Sequence, residues 1–146
     1  NIDERAWDAI MNTNVKSLFF LSKLAREAML EHGEGGSIIN VSTHGSLRPH
    51  PSFIPYAASK AGLNAMTEGL ALAFGPSVRV NTLMPGPFLT DVSKAWSLEG
   101  EANPFRHSAL QRAGQPDEIV GAALFLMSDA SSFTTGSILR ADGGIP

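Results

Sequence analysis

At 146 residues, 43% hydrophobic and 17% charged, the chain is long enough for one packed core and too ordinary in composition to be disordered. Eleven basic against fourteen acidic residues leave a net charge of -3 and no Lys/Arg run able to track a phosphate backbone, so nucleic acid is not an expected partner. No apolar stretch reaches the ~20 residues that span a bilayer, no cysteine is present, and His32, His44, His50 and His107 lack paired metal-ligand spacing, so neither a membrane span nor a metal site is expected.

The N-terminal stretch NIDERAWDAI has neither a basic n-region nor an apolar h-region, which points to the cytoplasm. From Asp3, a plausible N-cap, apolar residues recur at Trp7, Ile10, Met11, Val15, Leu18, Leu21 and Ala25, the period of a long amphipathic helix over 3–31. Gly33, Gly35 and Gly36 end it. The β-branched run SIINVS (37–42) predicts a buried strand, followed by the polar loop THGSLRPHPSFI. A second helix runs over 56–74, beginning at Pro55 or Tyr56 and stopped by Gly75 and Pro76. Its Ala57, Ala58, Ala61, Gly62, Ala65 and Gly69 leave room for another backbone. SVRVNTLMPG is the next strand, and a long irregular stretch follows it. A third helix opens at QPDEIV, with Pro116 at its first position and two acids in its first turn, and SILRADGG is the last strand.

Short apolar strands alternating with helices predict an α/β fold with a parallel sheet and right-handed crossovers. About three strands and three main helices leave such a sheet half built and half covered. No G-x-G-x-x-G loop occurs anywhere. Residues 1–146 therefore read as a single partial domain.

Tyr56-x-x-x-Lys60 within YAASK, preceded by NVST and followed by VNTLMPGPFLTD and QRAGQPDEIVGAALFLMSDASSFTTGSILRADGG, resembles the short-chain dehydrogenase/reductase family along the whole chain. The resemblance implies the C-terminal half of a Rossmann-like, doubly wound parallel sheet, with the N-terminal half absent. It also implies an oxidoreductase using NAD or NADP on an alcohol/carbonyl pair.

The chemistry of the pair agrees. Hydride transfer to a carbonyl creates an alkoxide that needs a proton donor within hydrogen-bond reach. A free phenol, with a pKa of about 10, exchanges that proton poorly near neutrality. A lysine one turn away stabilises the phenolate, and a lowering of ~2 to 3 units corresponds to roughly 3 to 4 kcal/mol. Residues i and i+4 share a helix face, so the spacing delivers the contact. By resemblance Tyr56 is the acid/base, and Lys60 tunes it and holds the nicotinamide ribose.

Asn14 falls on the apolar stripe of the first helix, where a buried amide must find partners. It is either a core asparagine satisfied by backbone or, by resemblance, the catalytic asparagine that interrupts the helix and positions a water linked to the lysine. The family's substrate-orienting serine stands thirteen residues before the tyrosine, and here that position is Thr43. Threonine offers the same donor and acceptor, but its methyl restricts the rotamer and fills space beside the substrate. The neighbouring Ser42 is a structural hydroxyl at the strand end, or shares the role.

PGPFLT (85–90) follows a strand at the carboxyl edge where open α/β sheets bind ligands. Pro85 and Gly86 permit a tight turn and a close backbone approach. By resemblance the backbone near Phe88 and the Thr90 hydroxyl bind the nicotinamide carboxamide. Asn81 is expected to support this loop rather than touch substrate. His44 and His50 either line the substrate cleft or are solvated loop residues. Trp96 and Phe105, in the position of the family's substrate lid, either cap an apolar substrate or pack the lid down. The substrate-binding set is thus Ser42, Thr43, His44 and Tyr56, for a small alcohol or ketone. The helices over 3–31 and 56–74 are those the family uses to form homodimers and homotetramers. The alternative reading is a non-catalytic association module that keeps these helices and lacks a cofactor site, and on either reading the isolated chain is expected to be inactive.

Overall fold

The computed structural model describes residues 2–33, 35–91, 93, 105 and 108–146. The chain enters on α1 (Glu4–Met11). Asp3 caps it, its carboxylate accepting the Ala6 N–H at 2.8 Å and satisfying one of the donors that a first turn leaves free. A π-turn, Asn12–Lys16, follows, in which the Ser17 N–H reaches back five residues to the Asn12 carbonyl. α2 (Ser17–Glu31) completes the segment. The single helix expected over 3–31 is therefore two α-helices joined by one widened turn, with Asn14 at the middle of it.

Three strands, β1 (Gly36–Val41), β2 (Val78–Pro85) and β3 (Ile138–Ala141), form one parallel sheet in the order β1-β2-β3. Gly36 is opposite Val78 and Val41 opposite Leu83, while Thr82 is opposite Ile138 and Pro85 opposite Ala141. β1 begins one residue earlier than the predicted strand, and β3 is shorter than SILRADGG. Because all three run the same way, Val41, Pro85 and Ala141 end at one edge of the sheet. The segments that follow each of them share that edge.

β2 lies between the other two strands and is buried almost throughout, as a central parallel strand is. Asn81 and Thr82, its two uncharged polar residues, are fully buried and hydrogen-bonded. The Thr82 hydroxyl donates to Thr67 Oγ1 at 3.0 Å. Asn81 donates to the Thr134 carbonyl at 2.8 Å and accepts the Ser137 N–H at 3.1 Å. It does not support the 85–90 loop, as its position suggested. Four residues before the end of its strand, its amide meets the turn that leads into β3.

α3 (Ile54–Phe74) starts two residues before the expected 56 and stops at Gly75 as expected. Its buried residues Leu63, Thr67, Leu70, Ala71 and Phe74 follow the three- and four-residue spacing of one helix face. Leu70, Ala71 and Phe74 close the core with Val78 and Val80, and Met29, Ile38 and Met66 pack against it. α4 (Val120–Met127) is preceded by a 3-10 turn, Pro116–Ile119, rather than running as α-helix from Pro116. The Glu118 N–H bonds the Gln115 carbonyl at 2.9 Å, three residues back, which keeps that turn tight. At the other end Arg79 donates to the Leu126 and Ser128 carbonyls at 3.1 and 3.2 Å, a cation on the exposed carbonyls of a helix C-terminus.

Candidate active site

Tyr56 and Lys60 sit in the first turns of α3, beside the carboxyl edge of the sheet. The Lys60 ammonium donates to the carbonyl of Val41, the last residue of β1, at 2.8 Å. It also lies 5.9 Å from the Tyr56 ring centroid, so the two groups predicted from their spacing are neighbours in space. Desolvation by burial pushes the Lys60 pKa below its ordinary value. Tyr56 remains 38% exposed, with its ring edge-on to Phe53.

Asn14 is half-buried in the π-turn and donates to Ser59 Oγ at 3.1 Å. Ser59, fully buried, donates in turn to the Tyr56 carbonyl at 2.7 Å. Asn14 is thus tied to the helix that carries the Tyr-Lys pair through Ser59, not directly to Lys60. Sequence reasoning passed over Ser59, although it stands inside YAASK, three residues after the tyrosine, where a serine hydroxyl reaches the backbone of the preceding turn.

Thr43 follows β1 in extended conformation and is half-buried. Its hydroxyl accepts the Gly45 N–H at a long 3.4 Å and opens a 3-10 turn, His44–Ser46. Ser42 is buried, and its hydroxyl faces the Lys60 carbonyl and Ser46 Oγ, each at 3.4 Å. His44 is half-buried, and burial lowers its pKa, with Arg140 and Arg48 adding to the effect and Asp142 opposing it. That favours a neutral imidazole. His50 is exposed, caps the turn Pro51–Phe53 through Nδ1 to the Ser52 N–H at 3.2 Å, and stacks on Phe53.

Four of the six residues expected to bind a cofactor line one cavity, while the other two, Tyr56 and Lys60, are not among its lining residues. Pro85, Gly86, Phe88 and Thr90, together with Val41, Leu83, Pro87, Pro116 and Ile119, enclose about 470 Å³ at the ends of β1 and β2. That is the size of an ordinary small-molecule site. The loop is held by a parallel bridge between Phe88 and Gly114, closed by Leu89 N–H to the Gly114 carbonyl at 2.8 Å and Gly114 N–H to the Pro87 carbonyl at 3.0 Å. The flanking residues make those bonds, which leaves the Phe88 N–H directed away from Gly114. Gly86 does admit a close approach, but the group that approaches is Asp142. A Cβ on Gly86 would lie 2.6 Å from the Asp142 Cα.

Pro87 and Phe88 also line a second cavity of about 420 Å³, whose charged lining, Arg112 with Glu118 and Arg140 with Asp142, is already paired. Phe105 is buried, so it packs inward; Trp96 and His107 lie outside the described residues. Among the described residues no group of three His, Asp or Glu side chains is placed to hold a metal ion. No helix among them is long and apolar enough to cross a membrane.

A family model described as enoyl-(acyl carrier protein) reductase, of the short-chain dehydrogenase type, matches residues 1–146. The chain belongs to the short-chain dehydrogenase/reductase family. It is 36% identical over 142 residues to a gluconate 5-dehydrogenase of Gluconobacter oxydans, covering 95% of this chain and 55% of that protein. It is also 36% identical over 145 residues to a 3-oxoacyl-[acyl-carrier-protein] reductase of Chlamydia trachomatis, covering 99% and 58%. Among solved structures, a gluconate 5-dehydrogenase from Burkholderia cenocepacia in complex with NADP and tartrate superposes with a TM-score of 0.86 at 32% identity, over 97% of this chain and 56% of that one. A 4-hydroxyisoleucine dehydrogenase complexed with NADH gives 0.91 at 27% identity, over 99% and 60%. This short-chain dehydrogenase/reductase chain therefore spans a little over half the length of the curated relatives it matches.

Proposed function

We propose that these residues form the catalytic half of an NAD- or NADP-dependent oxidoreductase acting on an alcohol/carbonyl pair. The observation that carries the reading is the Lys60 ammonium, bonded to the carbonyl of Val41, which lines the same cavity as Pro85, Gly86, Phe88 and Thr90. The nicotinamide end of the cofactor fits that cavity. Its walls are apolar, Thr90 supplies a hydroxyl, Phe88 a backbone N–H, and Lys60 a cation for the ribose. When bound, the nicotinamide gives or takes the hydride.

The chain's own residues handle the proton and the orientation. Tyr56 gives a proton to the substrate oxygen or takes one from it. The Lys60 ammonium lies beside the phenol ring, 5.9 Å from its centroid. Thr43 orients the substrate oxygen through its hydroxyl, while the inward-facing hydroxyl of Ser42 supports the strand end. Asn14 acts through Ser59 on the helix that carries the pair. Residues 1–146 are read as one partial domain, in a cytoplasmic protein that forms homodimers or homotetramers through α1–α2 and α3.

The test is turnover by the complete gene product with NAD(H) and NADP(H), offered gluconate, its keto form and a 3-oxoacyl thioester. A change in nicotinamide absorbance with at least one pair is the expected result. No turnover with any pair, alongside strong self-association, favours the association module instead. The 146-residue chain alone should bind neither cofactor measurably by calorimetry, because its sequence has no glycine-rich turn to hold the pyrophosphate.

A further inference from the structure

Thr43 and Tyr56 reach the proposed site from different elements, the end of β1 and the start of α3, so something must fix the distance between them. Tyr56, Lys60 and Asn64 stand at i, i+4 and i+8, one row along α3. Asn64 is 7% exposed, and its Nδ2 donates to Ser46 Oγ at 2.9 Å. Ser46 Oγ donates to the Thr43 carbonyl at 2.8 Å. The other side-chain tie from residues 42–46 to α3, Ser42 Oγ to the Lys60 carbonyl, is a long 3.4 Å, and the 2.8 Å bond from Lys60 Nζ reaches the Val41 carbonyl, two residues short of Thr43. The short bonds to Thr43 therefore run from Asn64 through Ser46.

Asn64 Oδ1 is buried with no hydrogen-bond partner. A buried acceptor without a donor costs stability that an apolar side chain of the same size would not. The position is thus occupied by a residue that is poor for packing and well placed for the turn that carries Thr43. We infer that Asn64 is a positioning residue that, through Ser46, holds Thr43 in register with Tyr56 and Lys60. The inference rests on the reading of Thr43 as the substrate-orienting hydroxyl.

The experiment is a double-mutant cycle in the complete gene product, with Asn64→Leu, Ser46→Ala and both together. It is assayed with gluconate or acetoacetyl thioester, whichever is turned over faster. Asn64→Leu should lower kcat by about tenfold or more, the scale of a small misplacement of a reacting group. The KM for the nicotinamide cofactor should stay unchanged and the urea midpoint should not fall. The double variant should be no worse than the worse single one, because both changes cut the same link. Parental kcat in Asn64→Leu, a fall in kcat that tracks a fall in the urea midpoint, or additive costs in the double variant would overturn the inference. Thr43→Val in the same assay separates the two claims. If it lowers kcat while Asn64→Leu does not, only the inference falls; if it leaves kcat unchanged, the reading of Thr43 and the inference fall together.

Discussion

Helices α2 and α3 are both rich in apolar residues, yet the chain treats them in opposite ways. In α3, a 21-residue helix, Pro55, Ala57, Ser59, Leu63, Asn64, Thr67, Leu70, Ala71 and Phe74 are buried. In α2, with 15 residues, Ser22 is the one buried residue. Phe20, Leu21 and Leu24 are 52%, 59% and 62% exposed. α3 is seated by small residues that let it approach β2 and by polar residues whose bonds fix its register. Thr67 is one of these, accepting from Asn40 at 2.9 Å and from Thr82 at 3.0 Å, and donating to the Leu63 carbonyl at 3.0 Å. Apolar content alone does not bury a helix. What decides is whether this chain supplies the surface that covers it, and it does so for the helix that carries Tyr56 and Lys60. The uncovered face of α2 is of the kind that drives association.

The comparison breaks most sharply at Tyr56, where the seated helix meets the chemistry. Tyr56→Phe in the complete gene product should lower kcat by about 100-fold or more, the range of a lost general acid or base. Cofactor affinity should be largely retained, since only the hydroxyl is removed. Steady-state kinetics with a parallel calorimetric titration reads both. A variant that keeps more than about one-tenth of parental turnover removes Tyr56 from the acid/base role.

Between the helices themselves, Leu63→Ala should cost about 2 to 5 kcal/mol of unfolding free energy, because Leu63 is fully buried in α3 and the cavity it leaves closes incompletely. Leu24→Ala on α2 should stay within about 0.5 kcal/mol. Urea titrations of the dilute 146-residue chain make the measurement. Equal costs would mean that stability is not lodged in the α3 interface. At the strand end, Thr43→Val should cost roughly 2 kcal/mol of transition-state stabilisation, the scale of losing one oriented donor, and Ser42→Ala much less. The reverse ranking in kcat/KM would move the orienting role to Ser42.

The α/β pattern, the three strands and the stop at Gly75 were legible because glycines, prolines and β-branched runs act locally. The Tyr-Lys neighbourhood was legible for the same reason, since i and i+4 meet on any helix. Four features were not. The π-turn at Asn14 breaks no local propensity, and only the resemblance pointed to an interruption there. The tie from Lys60 to Val41 joins residues 19 apart across two elements, and no spacing rule announces it. Asn81 was assigned to the wrong loop because a strand residue's partner depends on which neighbouring segment passes its face. Ser46 and Asn64, 18 residues apart, were missed for the same reason as the Lys60 tie.

The smallest effect is expected in a third kind of region, where a charged pair organises a solvated loop. Arg112 and Glu118 form a two-pronged pair, both bonds at 2.6 Å, and Glu118 also accepts the Gln115 N–H at 2.7 Å. These bonds, led by the one from Arg112, hold the Glu118 pKa down to about 2. A carboxylate whose pKa is depressed by folding stabilises the folded state above its ordinary value of about 4.3, and that contribution is lost as the pH falls toward the folded value. The stability difference between the parent and Glu118→Gln should therefore be flat above about pH 5 and shrink as the pH drops from there toward 2. Both side chains are exposed, so the difference should be small throughout and smaller still in high salt. The loop the pair secures carries Gly114, bridged to Phe88, and Pro116 and Ile119, which line the candidate cofactor cavity. Loosening it should show in cofactor affinity before it shows in stability. A difference between parent and variant that is the same at pH 3 and pH 7 would mean that the ion pair does not hold the loop, leaving the Phe88–Gly114 bridge to do so alone.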